Sequence, residues 1–560
     1  MRRWRRIACL MLSVLLSVSL AGCGQQKAEE GLSLQVSIGS APVTLDPIRA
    51  EEESDLTVLE HLYENLMKVA ADASGGTTVT SGMAKSYDVD KNNDGTVTYT
   101  FHLRNAKWSD GKSVTAENFV YAWRRLADPA SQSPNAHLLE VVKGFDQVRE
   151  TGDVTQLAVE AKNDSTLLVT LNSACEWFLT DVCTAAATMP LREDVVQKLK
   201  TAALETNQQI MAAGGEATQT WSSNYTALVT NGAYRVQDFD ENSMTLAANT
   251  KYTGMVSGPT EITFHYADSP ETSWSLYEAG EVDIVAPLSR GQVEQHAADS
   301  KYWSTIPELN TYTLLFNTQK DPFSDPMARL AFAQVIDRET LSQVTGLGTT
   351  PATGLVPYGV PDEGNVDFRT HGGDLVTVVP EDYAQQCREA QELLSEAGYD
   401  ASETVEYIYV DGGSHADTAK ALAEMWTKQL GVSVETRGLS EEEFQLALES
   451  GEYELAGTDL RSSVNDAEGF LDIWTSDSDR NVVGYENSAY DTLLTVINSA
   501  MDETARRGCL HDAESLLLAD CPLTPLYFTN TAYEVRQGLT GVCRDPRGFF
   551  SFATVAETTE

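Results

Sequence analysis

Along the chain, apolar residues follow two different kinds of spacing. Alternation at every second residue predicts strands over 32–40, 96–104 and 164–172, because successive side chains of a strand point to opposite faces. Spacing of three and four residues predicts helices over 55–69 and 115–128, since those positions share one helix face. Strands and helices intermixed in this way indicate a mixed α/β protein.

The same two spacings continue toward the C-terminus. Further strands are predicted over GAYRVQDF (232–239), SMTLAANT (243–250), EITFHYA (261–267), TVEYIYV (404–410) and VSVETRG (432–438). Helices are predicted over 325–345, 381–397 and 415–430. A helix between two strands of this length predicts parallel pairing through a right-handed crossover. At the earlier helix, Thr115 is the expected N-cap, with Asn118 in the place of the capping-box glutamate.

Length and charge narrow the class of protein. The chain has 560 residues, enough for several folding units, and its 42% hydrophobic content is typical of an ordered globular protein. Its 39 Lys and Arg are outnumbered by 83 Asp and Glu, which gives a net charge of −44. Such a surface repels phosphate backbones, so we expect no nucleic-acid partner. We interpret the acidic excess mainly as a solubility surface, which at long range favours cationic solutes.

The N-terminus carries a separate pattern. Four arginines precede the mostly apolar run 7–21, as is typical of a secretory signal peptide. The run leads into LAGC, ending at Cys23, which resembles the bacterial lipobox. This predicts a signal peptide over 1–22, acylation of the Cys23 thiol and a linker over 23–33, so that lipid chains hold the protein on the extracytoplasmic face of the cell membrane. The alternative is an ordinary secretory cleavage site.

Motifs for catalysis and metal binding are incomplete. DKNNDG (90–95) begins like an EF-hand loop, but Phe101 stands where a bidentate glutamate is needed, so we predict a turn. DGKS (110–113) lacks the first glycine of a phosphate loop. No H-E-x-x-H or G-x-S-x-G segment occurs, so we expect no catalytic residue, no metal ligand and no cofactor. The six cysteines after Cys23 are expected to be mostly buried thiols, with their pairing left open.

One long stretch is specific to a known family. Residues 83–129, MAKSYDVDKNNDGTVTYTFHLRNAKWSDGKSVTAENFVYAWRRLADP, resemble the extracellular peptide-binding proteins of ABC importers, the oligopeptide/dipeptide solute-binding family. Shorter matches stand in order on both sides of it: LDP (45–47), LYENLM (62–67), NGAY (231–234), AGEVDI (279–284), FNTQKDPFSDPMARLAFAQVIDRE (316–339), ELLSEAGY (392–399), LGVSVE (430–435) and PLYF (525–528). The resemblance therefore extends over nearly the whole chain after the linker.

The resemblance implies the architecture. The expected fold class is α/β, a periplasmic-binding-protein-like fold of type II with two lobes, an extra subdomain and a ligand cleft between the lobes. Lobe I would cover 34–307, with the subdomain at about 70–190, and lobe II would cover 308–527. Residues 528–560 would return to lobe I and form the C-terminal tail. The ligand would select the closed state by binding both lobes.

The resemblance also places His415 near the C-terminal end of a bound peptide. His415 follows Gly412-Gly413-Ser414 at the start of a predicted helix, where free N–H groups and the helix dipole favour an anion. We therefore expect His415 and this helix start to receive a ligand carboxylate. The alternative is a solvent-facing histidine that simply begins a helix.

The segment TDLRSSVNDAEGFL (458–471) departs from the family pattern. Ser463 stands where the oligopeptide binders have an aspartate for the α-amino group of the ligand. Because a buried ammonium without a countercharge is costly, Asp459 or Asp466 would have to replace that acid. Arg461 offers the other possibility, two-point contact with a carboxylate.

Three more residues match family positions that face the cleft. They are Glu51, Glu53 and Asn135. The acids at 51–53 are compatible with a cationic ligand, but we favour the simpler interpretation of a solvated loop.

Together these observations predict a lipid-anchored, monomeric substrate-binding protein of an ABC importer. It would bind an oligopeptide or dipeptide and deliver it to permease subunits in the membrane, with no covalent chemistry. A second hypothesis keeps the fold but changes the ligand to a metal chelate, a sugar or a signalling molecule. A third is an exported hydrolase whose catalytic groups converge from distant positions.

Overall fold

The computed structural model describes residues 31–71, 77–254, 258–267, 269–286, 288, 291–292, 303–346, 348–362, 366–378, 383–399, 404–462, 464–497, 503–545 and 547–558. Its strands are β1 (Ser33–Ser37), β2 (Met67–Ala71), β3 (Thr77–Ser81), β4 (Ala84–Lys91), β5 (Val97–Leu103), β6 (Val159–Asn163), β7 (Thr166–Leu171), β8 (Tyr234–Phe239), β9 (Ser243–Ala248), β10 (Glu261–His265), β11 (Ile284–Val285), β12 (Trp303–Phe316), β13 (Thr349–Pro351), β14 (Thr404–Val410), β15 (Ser433–Leu439), β16 (Leu455–Arg461), β17 (Leu523–Val535), β18 (Leu539–Thr540), β19 (Cys543–Arg544), β20 (Phe550–Ser551) and β21 (Ala556–Glu557).

The α-helices among the described residues alternate with these strands. They are α1 (Glu53–Leu62), α2 (Ala116–Ala127), α3 (Phe145–Thr151), α4 (Glu193–Ala212), α5 (Pro270–Glu278), α6 (Pro326–Gln334), α7 (Arg338–Thr345), α8 (Phe368–Gly372), α9 (Tyr383–Glu396), α10 (His415–Leu430), α11 (Glu441–Ser450), α12 (Glu468–Leu471), α13 (Ser488–Ile497) and α14 (Glu503–Asp520). The predicted α/β class is confirmed.

Eleven of the described strands form one sheet. Ten of them follow the order β15-β14-β16-β12-β17-β11-β1-β10-β9-β8, and β13 also pairs with β17. The long strands β12 and β17 are antiparallel neighbours, and their register shifts between Pro307 and Thr311. Before the shift β17 is joined by β11, and after it β12 is joined by β16. The two long strands therefore run through both halves of the sheet and connect them.

The parallel strand pairing predicted in the C-terminal half is confirmed. β14 and β15 are parallel, with Thr404 opposite Ser433 and Val410 opposite Leu439, and α10 makes the connection. The buried Trp426 fixes α10 in place, because its Nε1 donates to the carbonyl of residue 332 at 2.9 Å while its ring packs in the core.

A second sheet, ordered β4-β5-β7-β6, is antiparallel throughout and contains the predicted strands 96–104 and 164–172. Helix α2 packs on it through a buried face that includes Phe119 and Trp123. At its start Asn118 Oδ1 accepts from the Thr115 N–H at 2.9 Å, so the asparagine does take the capping-box role. The DKNNDG stretch closes the β4–β5 hairpin as a turn, in which Gly95 has φ of +87°.

Two helix predictions were too long. The pattern over 55–69 is divided between α1, which ends at Leu62, and β2, which begins at Met67. Asn65 fixes the turn between them, since its Nδ2 donates to the carbonyl of residue 185 at 2.8 Å. The pattern over 325–345 is broken into α6 and α7, because Asp337 caps a new helix by accepting from the Thr340 N–H at 2.9 Å.

Apolar side chains fill one core in the N-terminal half and one core on each face of the C-terminal half-sheet. Of the described cysteines, four are buried (Cys183, Cys387, Cys521 and Cys543) and two are partly buried (Cys175 and Cys509). Within the described ranges, none of the helices combines the length and apolarity needed to span a bilayer.

Candidate functional site

Asp459 stands near the end of β16, opposite Tyr312 of β12. Two side chains hold its carboxylate: Asn310 Nδ2 donates to Oδ1 at 2.7 Å, and His415 Nε2 lies 3.3 Å from Oδ2. The side chain of Asp459 is still 27% exposed. A carboxylate has about four lone-pair positions, so this one keeps acceptor capacity for a ligand.

His415 begins α10 and is oriented from both sides. Its Nδ1 lies 3.0 Å from the carbonyl oxygen of Val410, and its ring stacks on Tyr312 with centroids 4.8 Å apart. A carbonyl at Nδ1 and a carboxylate at Nε2 both require an N–H, which only the imidazolium supplies on both nitrogens. The hydrogen bond to Asp459 is accordingly the main cause that raises the pKa of His415 above 6.5.

The same contacts keep Asp459 charged. Burial is the largest single effect and on its own would raise the pKa of this carboxyl. The hydrogen bonds from His415 and Asn310, together with the nearby charge of Arg461, outweigh burial and hold the pKa below its ordinary value. Asp459 is therefore an ionised carboxylate at neutral pH.

Hydrogen bonds continue from Asp459 across the paired long strands. Asn310 Nδ2 also donates to Thr529 Oγ1 at 3.0 Å, and that hydroxyl donates to Glu308 Oε2 at 2.8 Å. We call the series His415, Asp459, Asn310, Thr529 and Glu308 the polar string. It starts at α10 and crosses β12 and β17 beside the register shift, where the two halves of the sheet join.

One acid from the N-terminal half, Glu53, lies near the far end of the polar string. Glu53, in the first turn of α1, has its pKa raised to about 7, mainly by burial, while Arg544 opposes the increase and Glu308 adds to it. Arg544 Nη2 lies 3.8 Å from Glu308 Oε1. A carboxyl with a pKa near 7 holds its proton part of the time, so Glu53 can donate as well as accept a hydrogen bond.

The other predicted site residues have different surroundings. Glu51 is exposed beside the start of α1. Asn135 Nδ2 donates to the carbonyl of Ala50 at 3.0 Å, so its amide positions the segment that carries the acids. Arg461 is exposed at the end of β16, and Ser463 lies outside the described residues.

Asp466 is committed to an internal ion pair. Arg506 donates to both of its oxygens, at 2.9 and 3.0 Å, and also to Glu468 Oε2 at 2.6 Å. The Arg506 side chain is only 9% exposed. Because this guanidinium already neutralises Asp466, the geometry favours Asp459 over Asp466 as the acid that meets a ligand.

The loop after β16 also contacts the N-terminal half. The Asn465 N–H donates to Asp181 Oδ1 at 2.5 Å, and Arg547 Nη1 donates to the carbonyl of Asp181 at 3.2 Å. Burial is the main cause that raises the pKa of Asp181 to about 6. The loop that follows Arg461 therefore reaches the N-terminal half of the molecule at Asp181.

Sequence reasoning missed the inner members of this site. Asn310, Tyr312, Thr529 and Glu308 lie on strands whose patterns indicate only buried β-structure. Their polar groups acquire a role through the pairing of β12 with β16 and β17. The one available signal was the polar Asn310-Thr311 beside an apolar run, which is unusual in the middle of a long buried strand.

A surface cavity of about 650 Å³ lies elsewhere, between α2 and α4. Its lining includes Glu117, Arg124, Arg125 and Glu193, and none of the predicted ligand-binding residues. We locate the candidate site at the polar string because the predicted ligand-binding residues His415 and Asp459 belong to it.

Two half-sheets joined by paired long strands, with an ionised polar site at the junction, define a two-lobe α/β solute-binding protein. Comparison with known families agrees: the model of the bacterial extracellular solute-binding proteins, family 5, matches residues 78–481. The chain belongs to this family.

Individual relatives agree over most of their length. The chain is 31% identical over 499 residues to the "Probable deoxycholate-binding periplasmic protein YgiS" of Escherichia coli, covering 87% of this chain and 86% of that protein. The unliganded open form of MppA, a periplasmic murein tripeptide-binding protein, superposes with a TM-score of 0.76 at 26% identity and covers 95% and 98% of the two chains. Haemophilus influenzae OppA in complex with RPPGFSPFR gives a TM-score of 0.69 at 26% identity, with coverage of 94% and 99%.

Proposed function

We propose that this protein is the substrate-binding component of an ABC importer and that it captures peptides with a free amino terminus. The observation that carries the proposal is Asp459, a carboxylate kept ionised at the junction of the two halves with acceptor capacity to spare. An α-ammonium needs such a countercharge when it leaves water. Asp459 would thus take the part that Ser463 cannot play.

Several features support a cleft that closes on its ligand. The polar string presents His415 and Asp459 from the C-terminal half, and Glu53 stands at its other end on α1. A ligand that contacts both ends would favour the closed arrangement of the lobes over the open one. The paired strands β12 and β17, with their register shift between Pro307 and Thr311, would act as the hinge.

Mass spectrometry of the ligand released from gently purified protein tests this function directly. Peptides should be found, and di-, tri- and pentapeptides should raise the melting temperature, since a ligand at 100 times its Kd stabilises by roughly 2.7 kcal/mol. The absence of any released peptide together with no stabilisation by any peptide length would overturn the proposal.

A second ligand class follows from Arg461 and from the relative that is named for deoxycholate. An exposed guanidinium beside the site fits a carboxylate in two-point fashion, and the acid usual for this family is missing at 463. An amphipathic anion such as deoxycholate would then bind in place of a peptide. The same thermal-shift series decides between the two classes: stabilisation by deoxycholate that is lost in Arg461→Gln supports the anion, and it replaces the peptide proposal only if no peptide stabilises the protein.

We further propose that acyl chains on Cys23 hold the protein at the outer face of the cell membrane as a monomer. The lipobox-like LAGC is the supporting observation, and Cys23 itself lies outside the described residues. Metabolic labelling with palmitate should mark the native chain and leave Cys23→Ser unlabelled and in the soluble fraction. Equal membrane association of both forms would exclude the anchor.

A further inference from the structure

A cluster of two histidines and one aspartate lies in the C-terminal half, apart from the polar string. Its members are Asp362, His371 at the end of α8 and His511 in the middle of α14. His371 Nδ1 and His511 Nε2 both approach Asp362 Oδ2, at 2.9 and 2.8 Å. One potential ligand atom from each residue lies within 4.8 Å of the other two.

The cluster is firmly held and is open to solvent on one side. The Asp362 side chain is fully buried, and Arg507 Nη1 donates to its other oxygen, Oδ1, at 3.1 Å. His511 is stacked on Phe368 with ring centroids 3.9 Å apart, whereas His371 is 52% exposed. A carboxylate fixed through one oxygen and an imidazole fixed by stacking are the kind of outer support that metal ligands receive in proteins.

The donor set indicates the metal. Two imidazole nitrogens and one carboxylate oxygen suit Zn²⁺ and neighbouring transition metals, whereas Ca²⁺ and Mg²⁺ prefer oxygen ligands alone. Around a tetrahedral zinc with bonds of about 2.0–2.1 Å, the ligand atoms stand about 3.3 Å apart. The two separations from Asp362 Oδ2, 2.8 and 2.9 Å, would therefore open by about half an ångström, and the two imidazole nitrogens already lie within 4.8 Å of each other.

We propose that Asp362, His371 and His511 form a three-ligand site for a divalent transition metal, with zinc as the best fit and water in the fourth position. Each imidazole would exchange its hydrogen bond to Oδ2 for a metal bond and carry its proton on the other nitrogen. The bound ion would clamp α8 to α14. The acidic surface, with its net charge of −44, favours the approach of a divalent cation.

Sequence reasoning expected no metal ligand, because it searched for histidines four residues apart. His371 and His511 are 140 positions apart and meet only because α8 packs against α14. The site contains no member of the polar string, so it is independent of the proposed peptide binding.

Metal content measures the proposal directly. The chain, purified without a histidine tag and stripped with EDTA, is equilibrated with micromolar Zn²⁺, desalted and analysed by mass spectrometry for metal. We expect one Zn²⁺ per chain and no retained Ca²⁺. His371→Gln and His511→Gln should each weaken zinc binding at least about tenfold, measured by titration. Co²⁺ should give the visible absorption of a tetrahedral nitrogen and oxygen site, and His371→Gln should remove it.

His102→Gln is the matched control. His102 Nε2 makes a similar hydrogen bond to Asp88 Oδ2 at 2.9 Å, but in the described part of the chain no third potential metal ligand joins that pair. This variant should keep the full zinc affinity. Since His371 is largely exposed, its glutamine variant should fold, and its apo melting temperature checks that it does. The proposal would be overturned if the wild type bound no zinc, or if His371→Gln and His511→Gln both bound zinc as tightly as the wild type does.

Discussion

Asp459→Asn tests the central residue of the site with little change in shape. The amide oxygen can still accept from Asn310, but the negative charge that faces a ligand ammonium is lost. Removing one partner of a hydrogen-bonded, desolvated charge pair costs about 2–5 kcal/mol. Because Asp459 is 27% exposed, we take the lower part of that range, about 2–3 kcal/mol, which corresponds to a roughly 30- to 150-fold weaker Kd.

Isothermal titration calorimetry with a tripeptide and its N-acetylated form isolates the ammonium. In the wild type, acetylation should weaken binding by about the same factor as Asp459→Asn. In the variant, acetylation should have almost no further effect, since the interacting charge has already gone. Glu406→Gln is the control, because it removes one negative charge on β14, outside the polar string. Glu406 Oε1 accepts from Arg437 Nε at 2.8 Å, and the Glu406→Gln protein should bind the tripeptide as tightly as the wild type does.

Two results would refute the reasoning. One is an Asp459→Asn protein that binds the free tripeptide as tightly as the wild type does. The other is an equal loss on acetylation in both proteins, which would mean that a different acid meets the ammonium.

Three further predictions concern stability and can be measured by chemical or thermal unfolding. Asp466→Ala should lower the free energy of unfolding by about 2–3 kcal/mol without changing peptide affinity, because its partner Arg506 is buried and keeps only Glu468; unchanged stability would contradict the ion pair. Gly457→Ala should lower the free energy of unfolding by about 1–3 kcal/mol, since the new Cβ would lie 1.9 Å from the Tyr407 hydroxyl oxygen. Gly508→Ala is the control: it lies on α14 with open space around the new Cβ, so it should raise the free energy of unfolding by about 0.5–1 kcal/mol. His415→Gln should lower the free energy of unfolding most below pH 6.5, and the loss should shrink as pH rises through the raised pKa of His415, because the bond to Asp459 favours the imidazolium. A loss of stability that grows with pH would contradict this pairing.

The fold was largely predictable because most elements are specified by local pattern. Strand β5, with its alternating burial, and helix α2, with its capping residues, are specified by residues close together in the sequence. The sequence pattern alone therefore predicts both of them. The breaks within 55–69 and 325–345 were missed because tertiary contacts decide them. Asn65 bonds to a carbonyl 120 positions away, which no periodicity can indicate.

The candidate site was only partly predictable for the same reason. His415 and Asp459 were predicted as candidates with the help of the family resemblance, and the structure adds that they form a pair. Choosing between Asp459 and Asp466 required Arg506, which comes from α14, 40 positions after Asp466. Charge in the sequence shows which residues can bind a ligand, but the partners that already neutralise them are brought together by the fold.

Proton exchange on binding can show whether an ammonium or a carboxylate of the ligand meets the pair of His415 and Asp459. While His415 is an imidazolium, it neutralises part of the charge that an ammonium needs, so an ammonium at Asp459 should lower the pKa of His415 and release a proton. A ligand carboxylate beside His415 and Arg461 would instead raise that pKa and take up a proton. Calorimetry near pH 7 in buffers of different ionisation enthalpy gives the sign of the exchange, and His415→Gln shows whether this histidine causes it. We expect release for peptides with a free amino terminus, tighter binding as pH rises through the pKa of His415, and no such exchange in the glutamine variant. Proton uptake by the wild type would identify an anionic ligand group at this site.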